Sequence, residues 1–411
     1  MTPHLQTRCC IAGGGPAGMM LGFLLARAGI EVVVLEKHAD FLRDFRGDTI
    51  HPSTLEVMHE LGLLKEFLKV PHDEVPKLNG QIGGEMLTIA DFSHLPTQCK
   101  FIALLPQWDF LDFIAAQAKR YPAFKLLTTT EVTELLFEGE RVCGVRTKTP
   151  EGELEIRAEL VIGADGRHSV VRDKAGLEVM NLGAPIDVLW FRVSRSAGDP
   201  PQTLGRIDAG NIMVMLNRGS YWQCAFVIPK GGYELIRERG LPAFREIIAK
   251  LAPSLHERMT EIREWDDIKL LTVTVDRLRQ WSRPGLLCIG DAAHAMSPIG
   301  GVGINLAIQD AVAAANILAL AFVRGEVTTA DLAAVQQRRM FPTRMTQGLQ
   351  VLVQNRVISR VLASTQPIML PWQLKLVRAW PWLSRIPARV VGMGFRPEHV
   401  RTPAVSNVLS E

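Results

Sequence analysis

Residues 7–36, TRCCIAGGGPAGMMLGFLLARAGIEVVVLE, decide the fold. An apolar strand runs into Gly13, Gly15 and Gly18 at GxGxxG spacing, a helix follows and stops at Gly29, and a second apolar strand closes on Glu36. The stretch reads as a βαβ unit. In such a unit the first glycine permits the tight turn, the second lets backbone approach a pyrophosphate, and the third lets helix pack on strand. Pro16 and Ala17 open the helix, whose free N–H groups and positive dipole end favour phosphate. Glu36, with Lys37 beside it, stands where a carboxylate accepts hydrogen bonds from ribose hydroxyls. These features predict a Rossmann-like domain that binds a dinucleotide, without choosing between NAD and FAD.

Two later stretches narrow the choice. Residues 159–172, ELVIGADGRHSVVR, are a strand running into Gly163, Asp165 and Gly166 and then a helix start. Residues 285–306, GLLCIGDAAHAMSPIGGVGINL, are a buried strand ending at Gly290 and Asp291, then a glycine-rich turn that opens a long helix near Gly303. With these motifs in this order, the chain over roughly residues 7–345 resembles the single-component (group A) FAD-dependent monooxygenases, the para-hydroxybenzoate hydroxylase-like family that includes ubiquinone-biosynthesis hydroxylases.

The resemblance implies roles residue by residue. Gly13, Gly15, Pro16, Ala17 and Gly18 would hold the FAD pyrophosphate, and Glu36 and Lys37 the adenosine ribose side. Arg46 would neutralise the pyrophosphate, Gln107 in LLPQWDFLDFI would reach the ribityl chain, and the backbone of Val132 would meet adenine. Asp291 would bond a ribityl hydroxyl, and Pro298, Gly301, Gly303, Ile304 and Asn305 would form the turn that passes the flavin ring. A helix starting there aims N–H groups and dipole at the flavin region that gains negative charge on reduction. Asp165 and Gly166 would lie on the cofactor side, or Asp165 would simply end its strand in a turn. The implied chemistry is hydroxylation of an aromatic, phenolic or quinone-like molecule: NADH or NADPH reduces the flavin, O2 adds to it, and a C4a-hydroperoxide delivers oxygen. The flavin carries that chemistry, so no nucleophile is required and no Ser/His/Asp set presents itself. Arg46, His51 and Pro298 are the candidates for a direct catalytic part, and a backbone-bonding role is open to both His51 and His294. A reductase of a lipophilic substrate on the same fold, or a flavin-binding sensor, are the alternatives.

What is missing also informs. A second strict GxGxxG, a CxxC pair and the WxWxIP motif of flavin halogenases are not found; YWQCAFVIP (residues 221–229) has Cys224 and Phe226 where that motif has tryptophan. Six cysteines without metal-like spacing read as reduced thiols in a cytoplasmic chain, and neither a signal peptide nor a membrane span is expected. At 47% hydrophobic and 22% charged residues the chain is globular, and 46 basic against 43 acidic residues argues against a nucleic-acid partner.

The fold expected is α/β: a Rossmann-like FAD-binding domain in three parts (1–74, 102–180, 276–345), an inserted, mostly antiparallel substrate sheet (75–101 and 181–275) and a C-terminal helical segment (346–411). Alternating apolar runs at 186–193, 204–216, 220–228 and 268–275 supply the sheet. Trp190, Arg192, Met213, Met215, Trp222 and Gln223 are its candidate substrate contacts. Between Asp331 and Glu398 the chain has ten basic residues and no acid, with Trp372, Trp380 and Trp382 among them. Such a segment suits either an anionic membrane surface or packing against the acidic remainder of the chain.

Overall fold

The protein, seen in a computed structural model, is described over residues 4–42, 49–196, 198–199, 204–366, 368–370 and 372–405; Arg46 lies outside these. The strand Val32–Leu35 and the second halves of His4–Ala12 and Gly152–Gly163 are apolar without alternation, so they need cover on both faces. They form a parallel sheet in the order Phe124–Leu127, Val32–Leu35, His4–Ala12, Gly152–Gly163, Leu286–Cys288, with Ser282–Arg283 as an antiparallel edge. The first half of Gly152–Gly163 also pairs, on its other edge, with the antiparallel strand Arg141–Thr149, and that strand with Glu131–Glu138, extending the same sheet. Helix Pro16–Arg27 packs between Gln107–Lys119 and Val302–Arg324. Val302–Arg324 belongs to the one described helix long and apolar enough to cross a membrane, but 78% of its most apolar window is buried in the protein. It is the core helix of this domain, its Ala311, Val312, Ala315 and Leu318 fully enclosed.

The second sheet runs Lys269–Leu271, Ile186–Ser194, Tyr221–Pro229, Asn211–Asn217, Leu204–Asp208, Lys77–Ile82, Glu85–Asp91. All neighbours are antiparallel except Leu204–Asp208 with Lys77–Ile82. Asp73–Val75 goes elsewhere, into a small sheet with Thr49–Ile50 and Ile102–Leu104. Side chains alternate across the pleat, and each face has its own cover. Phe191, Met213, Met215, Trp222, Cys224 and Phe226 pack on Phe244 and Ile248 of helix Leu241–Leu251. Val188, Trp190, Ile212, Val214, Ala225 and Val227 face the other way, toward Ile299 of the glycine-rich turn and Ile358, Val361 and Leu362 of the C-terminal helices.

The expected division at 345/346 falls inside the helix Thr329–Val353, which runs unbroken through Pro342. From its end the chain crosses the second sheet and returns through Trp372–Ala379 and Arg385–Met393 along Glu85–Asp91. The arginines of this acid-free segment are partly spoken for: Arg338 grips Glu398 at 2.6 and 2.8 Å, and Arg378 pairs with Glu85.

Helix crosses strand closely at the glycine turn, where a Cβ on Gly18 would stand inside contact distance of the Gly13 carbonyl oxygen. Gly18→Ala is therefore expected to destabilise the protein by about 1 to 3 kcal/mol through overpacking. Urea unfolding measures this, and an unchanged midpoint would show that the turn can yield.

Candidate functional site

The three motifs meet because bare backbone lets them. Gly13 has φ +107°, and a Cβ there would collide with Ala164 and Asp165 backbone; Gly290, φ +58°, lies against Ala17 and Ala307; Gly301, φ +62°, lies against Thr49. Gly13 N–H donates to Leu35 O, Ala164 N–H to Ala12 O and Ile289 N–H to Gly163 O, at 2.8 to 2.9 Å. The motif residues are also the partly open ones. Gly13, Gly15, Pro16, Glu36, Gln107, Asp165, Gly166, Asp291, Pro298, Gly301, Gly303 and Ile304 are each half-buried. Ala17, Gly18 and Asn305 are buried behind them, and Lys37 is exposed at the rim.

Two of these openings are cradles. Apart from its own neighbours in the chain, a Cβ on Gly15 or on Gly303 would meet no atom of the described residues within 4 Å. Gly15 is the N-cap of helix Pro16–Arg27, and Gly301 that of Val302–Arg324; neither helix start has a side-chain cap. Both leave N–H groups for an anion or an electron-rich ring edge, so the residues present fit FAD.

The remaining expected contacts have individual surroundings. Glu36 accepts from Gly14 N–H (3.2 Å) and His38 N–H (3.0 Å), joining the second strand to the glycine turn. Thr130 N–H donates to Glu36 O, which lays Val132 alongside that strand end. Gln107 begins helix Gln107–Lys119. Asp291 lies 4.0 Å from Arg167, a cation that sequence reading passed over. Asp165 caps the next helix, accepting from the Ser169 hydroxyl at 2.5 Å and Val171 N–H at 3.1 Å; burial raises its carboxyl above the ordinary value against those bonds. Its side chain thus serves its own turn.

Asn305 is a clamp. Its Oδ1 accepts from His51 N–H (2.8 Å) and the Thr54 hydroxyl (2.7 Å), and its Nδ2 donates to Thr49 O and Gly301 O. It ties helix Pro52–Glu60 to the start of Val302–Arg324. The His51 imidazole is fully buried, its Nδ1 2.7 Å from Val391 O and its Nε2 without a described partner. Burial pushes its pKa down to about 4 despite the Val391 bond, so the ring is neutral at pH 7 with the proton on Nδ1. His294 also turns inward, with Nε2 2.5 Å from Asp310, which accepts from Arg339 Nε (2.7 Å) and Gly290 N–H (3.1 Å) as well. Burial alone would raise the Asp310 carboxyl, but His294 and Arg339 hold it below the ordinary carboxylate value. Asp310 thereby braces the turn that carries Asp291. One sequence signal could have found it: a charged residue within an otherwise apolar helix.

Of the six expected substrate contacts, Trp190, Arg192 and Gln223 lie on the sheet face turned toward the glycine-rich turn. Met213, Met215 and Trp222 are the correction, since they fill the core beneath helix Leu241–Leu251. The pleat gives alternation but not its phase, and the amphipathic outer helix claims that set.

The FAD binding domain family matches residues 6–348, and the chain belongs to it. It is 33% identical over 368 residues to a 6-methylpretetramide 4-monooxygenase of Streptomyces rimosus, covering 88% of this chain and 87% of that one. It is 24% identical to a para-nitrophenol 4-monooxygenase of Pseudomonas sp. strain WBC-3, over 80% and 82% of the two chains. Of longer relatives, such as an anhydrotetracycline monooxygenase of Streptomyces rimosus, the alignment spans 60% of the length. In fold it matches p-nitrophenol 4-monooxygenase PnpA of Pseudomonas putida with TM-score 0.76 at 21% identity, over 95% and 96% of the chains. The protein is an FAD-dependent monooxygenase of the para-hydroxybenzoate hydroxylase fold.

Two outcomes test this geometry. A histidine whose pKa is depressed on folding stabilises fully above its ordinary value of 6.5 and loses that contribution as pH falls toward about 4. The wild type is expected to lose roughly 3 kcal/mol across that window from His51, and His51→Asn to lack this part of the slope in urea titrations at graded pH. Asn305→Ala, which strips four hydrogen bonds from buried backbone and hydroxyl groups, is expected to cost about 2 to 4 kcal/mol by the same measurement.

Proposed function

We propose that this enzyme uses NADH or NADPH and O2 to hydroxylate a fused-ring phenolic or quinone-like molecule. The observation that carries the reading is the meeting of half-buried residues from three distant motifs, with open cradles at Gly15 and Gly303. The similarity to a 6-methylpretetramide 4-monooxygenase over most of both chains supports a polycyclic aromatic substrate. When bound, FAD supplies the redox chemistry that passes electrons from nicotinamide to oxygen. The chain's own residues bind, orient and exclude water. Gly15 and Pro16 take the pyrophosphate at a helix start, Glu36, Lys37 and Val132 the adenosine end, Gln107 and Asp291 the ribityl chain, and Pro298 to Ile304 the ring. Arg46 completes the pyrophosphate site in this reading.

On the substrate side, Trp190, Val214 and Ile299 form an apolar surface that sheds water, and Arg192 and Gln223 beside it offer polar contacts to ring oxygens. His51, neutral and bonded to Val391, fixes the short helix Arg385–Met393 to the site and donates no proton to substrate. The intracellular setting proposed is cytoplasmic, with peripheral contact to anionic lipid through the basic C-terminal helices. Trp380, Trp382 and Ile386 are each more than half exposed beside Arg385 and Arg389, a pairing suited to a lipid interface.

Gly15→Val is expected to leave a folded but colourless protein, because only ligand space is filled. Asp291→Ala is expected to weaken FAD by about 1 to 3 kcal/mol in a fluorescence titration. A screen of phenols for stimulated NAD(P)H oxidation, with isotopic oxygen gas and mass spectrometry, decides the reaction: product without label would mean a reductase. Binding to anionic vesicles should weaken with salt and with Trp382→Ala; salt-insensitive binding or none would remove the lipid contact.

A further inference from the structure

The turn through residues 290–301 has backbone that no strand ladder satisfies, and buried backbone groups must find partners somewhere. The long helix Thr329–Val353 and its π-helical continuation Gln354–Ile358 provide them from a single stripe. Gln347, Gln350 and Gln354 recur at spacings of three and four, share one face, and are exposed by only 0, 5 and 0%. Gln347 Nε2 donates to Asp276 O at 2.7 Å and Ala295 O at 3.0 Å. Gln350 accepts from Ser297 N–H at 3.2 Å and donates to Ser297 O at 2.9 Å and Ile299 O at 3.0 Å. Gln354 Nε2 donates to Ser297 Oγ at 2.6 Å, and that oxygen also accepts from Ile299 N–H at 3.4 Å.

A helix face packed on protein is ordinarily apolar, and three buried amides are costly there unless they satisfy other groups. Here each meets the turn or the strand next to it. One turn further on, the stripe becomes apolar: Ile358, Val361 and Leu362 pack with Ile299 against the inner face of the second sheet. The change from polar to apolar coincides with a π-helical turn, a feature common at functional sites. Gln350 and Gln354 lie beyond the residues the family matches.

We propose that Gln350 and Gln354 are positioning residues that hold the Pro298–Gly301 turn in the shape that meets the flavin, while Ile358, Val361 and Leu362 on the same stripe wall the substrate pocket. The proposal rests on the flavin reading of that turn. It makes one helix set both the cofactor-facing backbone and the fit of the substrate.

The test compares Gln350→Met and Gln354→Met with Thr343→Val. Thr343 is buried one turn earlier on the same face, but among the described residues its hydroxyl bonds only Arg339 O of its own helix. FAD is titrated into each apoprotein by fluorescence quenching, the visible band of bound flavin is recorded, and the thermal midpoint of each apoprotein is measured. Gln350→Met should weaken FAD about tenfold, the equivalent of one net hydrogen bond, shift the visible band, and remove hydrogen-exchange protection from the Ser297 amide. Gln354→Met should do the same more weakly. Thr343→Val should lower the midpoint alone. Affinity within about twofold of wild type and an unshifted band in both methionine variants would overturn the proposal, leaving the stripe a fold-stabilising feature. Wild-type apoprotein that takes up no FAD would instead bring down the flavin reading itself, a distinct result.

Discussion

Close approach at positions that have no room for a Cβ, onto backbone at Gly13 and Gly18 and onto small side chains at Gly290 and Gly301, is the constraint on which this structure depends. Gly18 meets the Gly13 carbonyl, Gly13 meets Ala164, Gly290 meets Ala17, and Gly301 meets Thr49. Gly13 against Ala164 and Gly290 against Ala17 bring the three motifs together, and helices Pro16–Arg27 and Val302–Arg324 pack side by side. A methyl at Gly13 or Gly18 would push apart elements that meet at the end of the strand ladder, where Ala164 N–H donates to Ala12 O. Positive φ at Gly13, Gly290 and Gly301 reinforces the same choice of residue, because an L side chain there is both crowded and strained.

What cannot be left to bare backbone is held by buried polar groups. Asn305 joins the helix starts at Pro52 and Val302. Asp310, enclosed with His294 and Arg339, holds Gly290 N–H, and Arg339 extends the network to Glu398 at 3.5 Å. A lone buried carboxylate would be strongly unfavourable, whereas one that is paired and fully hydrogen-bonded can persist at a fixed geometry. Glu398 closes the network from near the C-terminus. The adjoining His399 and Val400 are bonded by Glu60, and His399 O and Arg401 N–H by Asn316. The last described segment thus fastens the far parts of helices whose starts Asn305 joins.

The glycine motifs were legible in the sequence because their requirements are local: a turn, a close approach and an uncapped helix start are written within a few residues. The parallel sheet was legible for the same reason, since strands buried on both faces lose their alternation. The substrate sheet was legible as strands but not as faces. Met213, Met215 and Trp222 alternate correctly, yet only the packing of Phe244 and Ile248 decides that they face helix Leu241–Leu251. Gln347, Gln350 and Gln354 look like an ordinary solvated helix face, and their partners lie about fifty residues or more away. Nothing in a local window distinguishes a glutamine that faces water from one that holds a distant carbonyl.

The acid-free stretch between Asp331 and Glu398 becomes intelligible in the same terms. On a helix, an acid three or four residues from an arginine captures it in a local pair. With none present, Arg339 reaches Asp310, Arg338 and Arg339 reach Glu398, and Arg378 reaches Glu85 in the second sheet. Arg396 stacks over Phe341 at 4.2 Å. These contacts join the C-terminal segment to the flavin helix, to its own end and to the substrate sheet, and no neighbouring carboxylate competes for them. Arg344, Arg356, Arg360, Arg385 and Arg389 stay exposed. A charge distribution that looks like a single basic surface in the sequence is therefore two populations, one that fastens the domains together and one that faces outward.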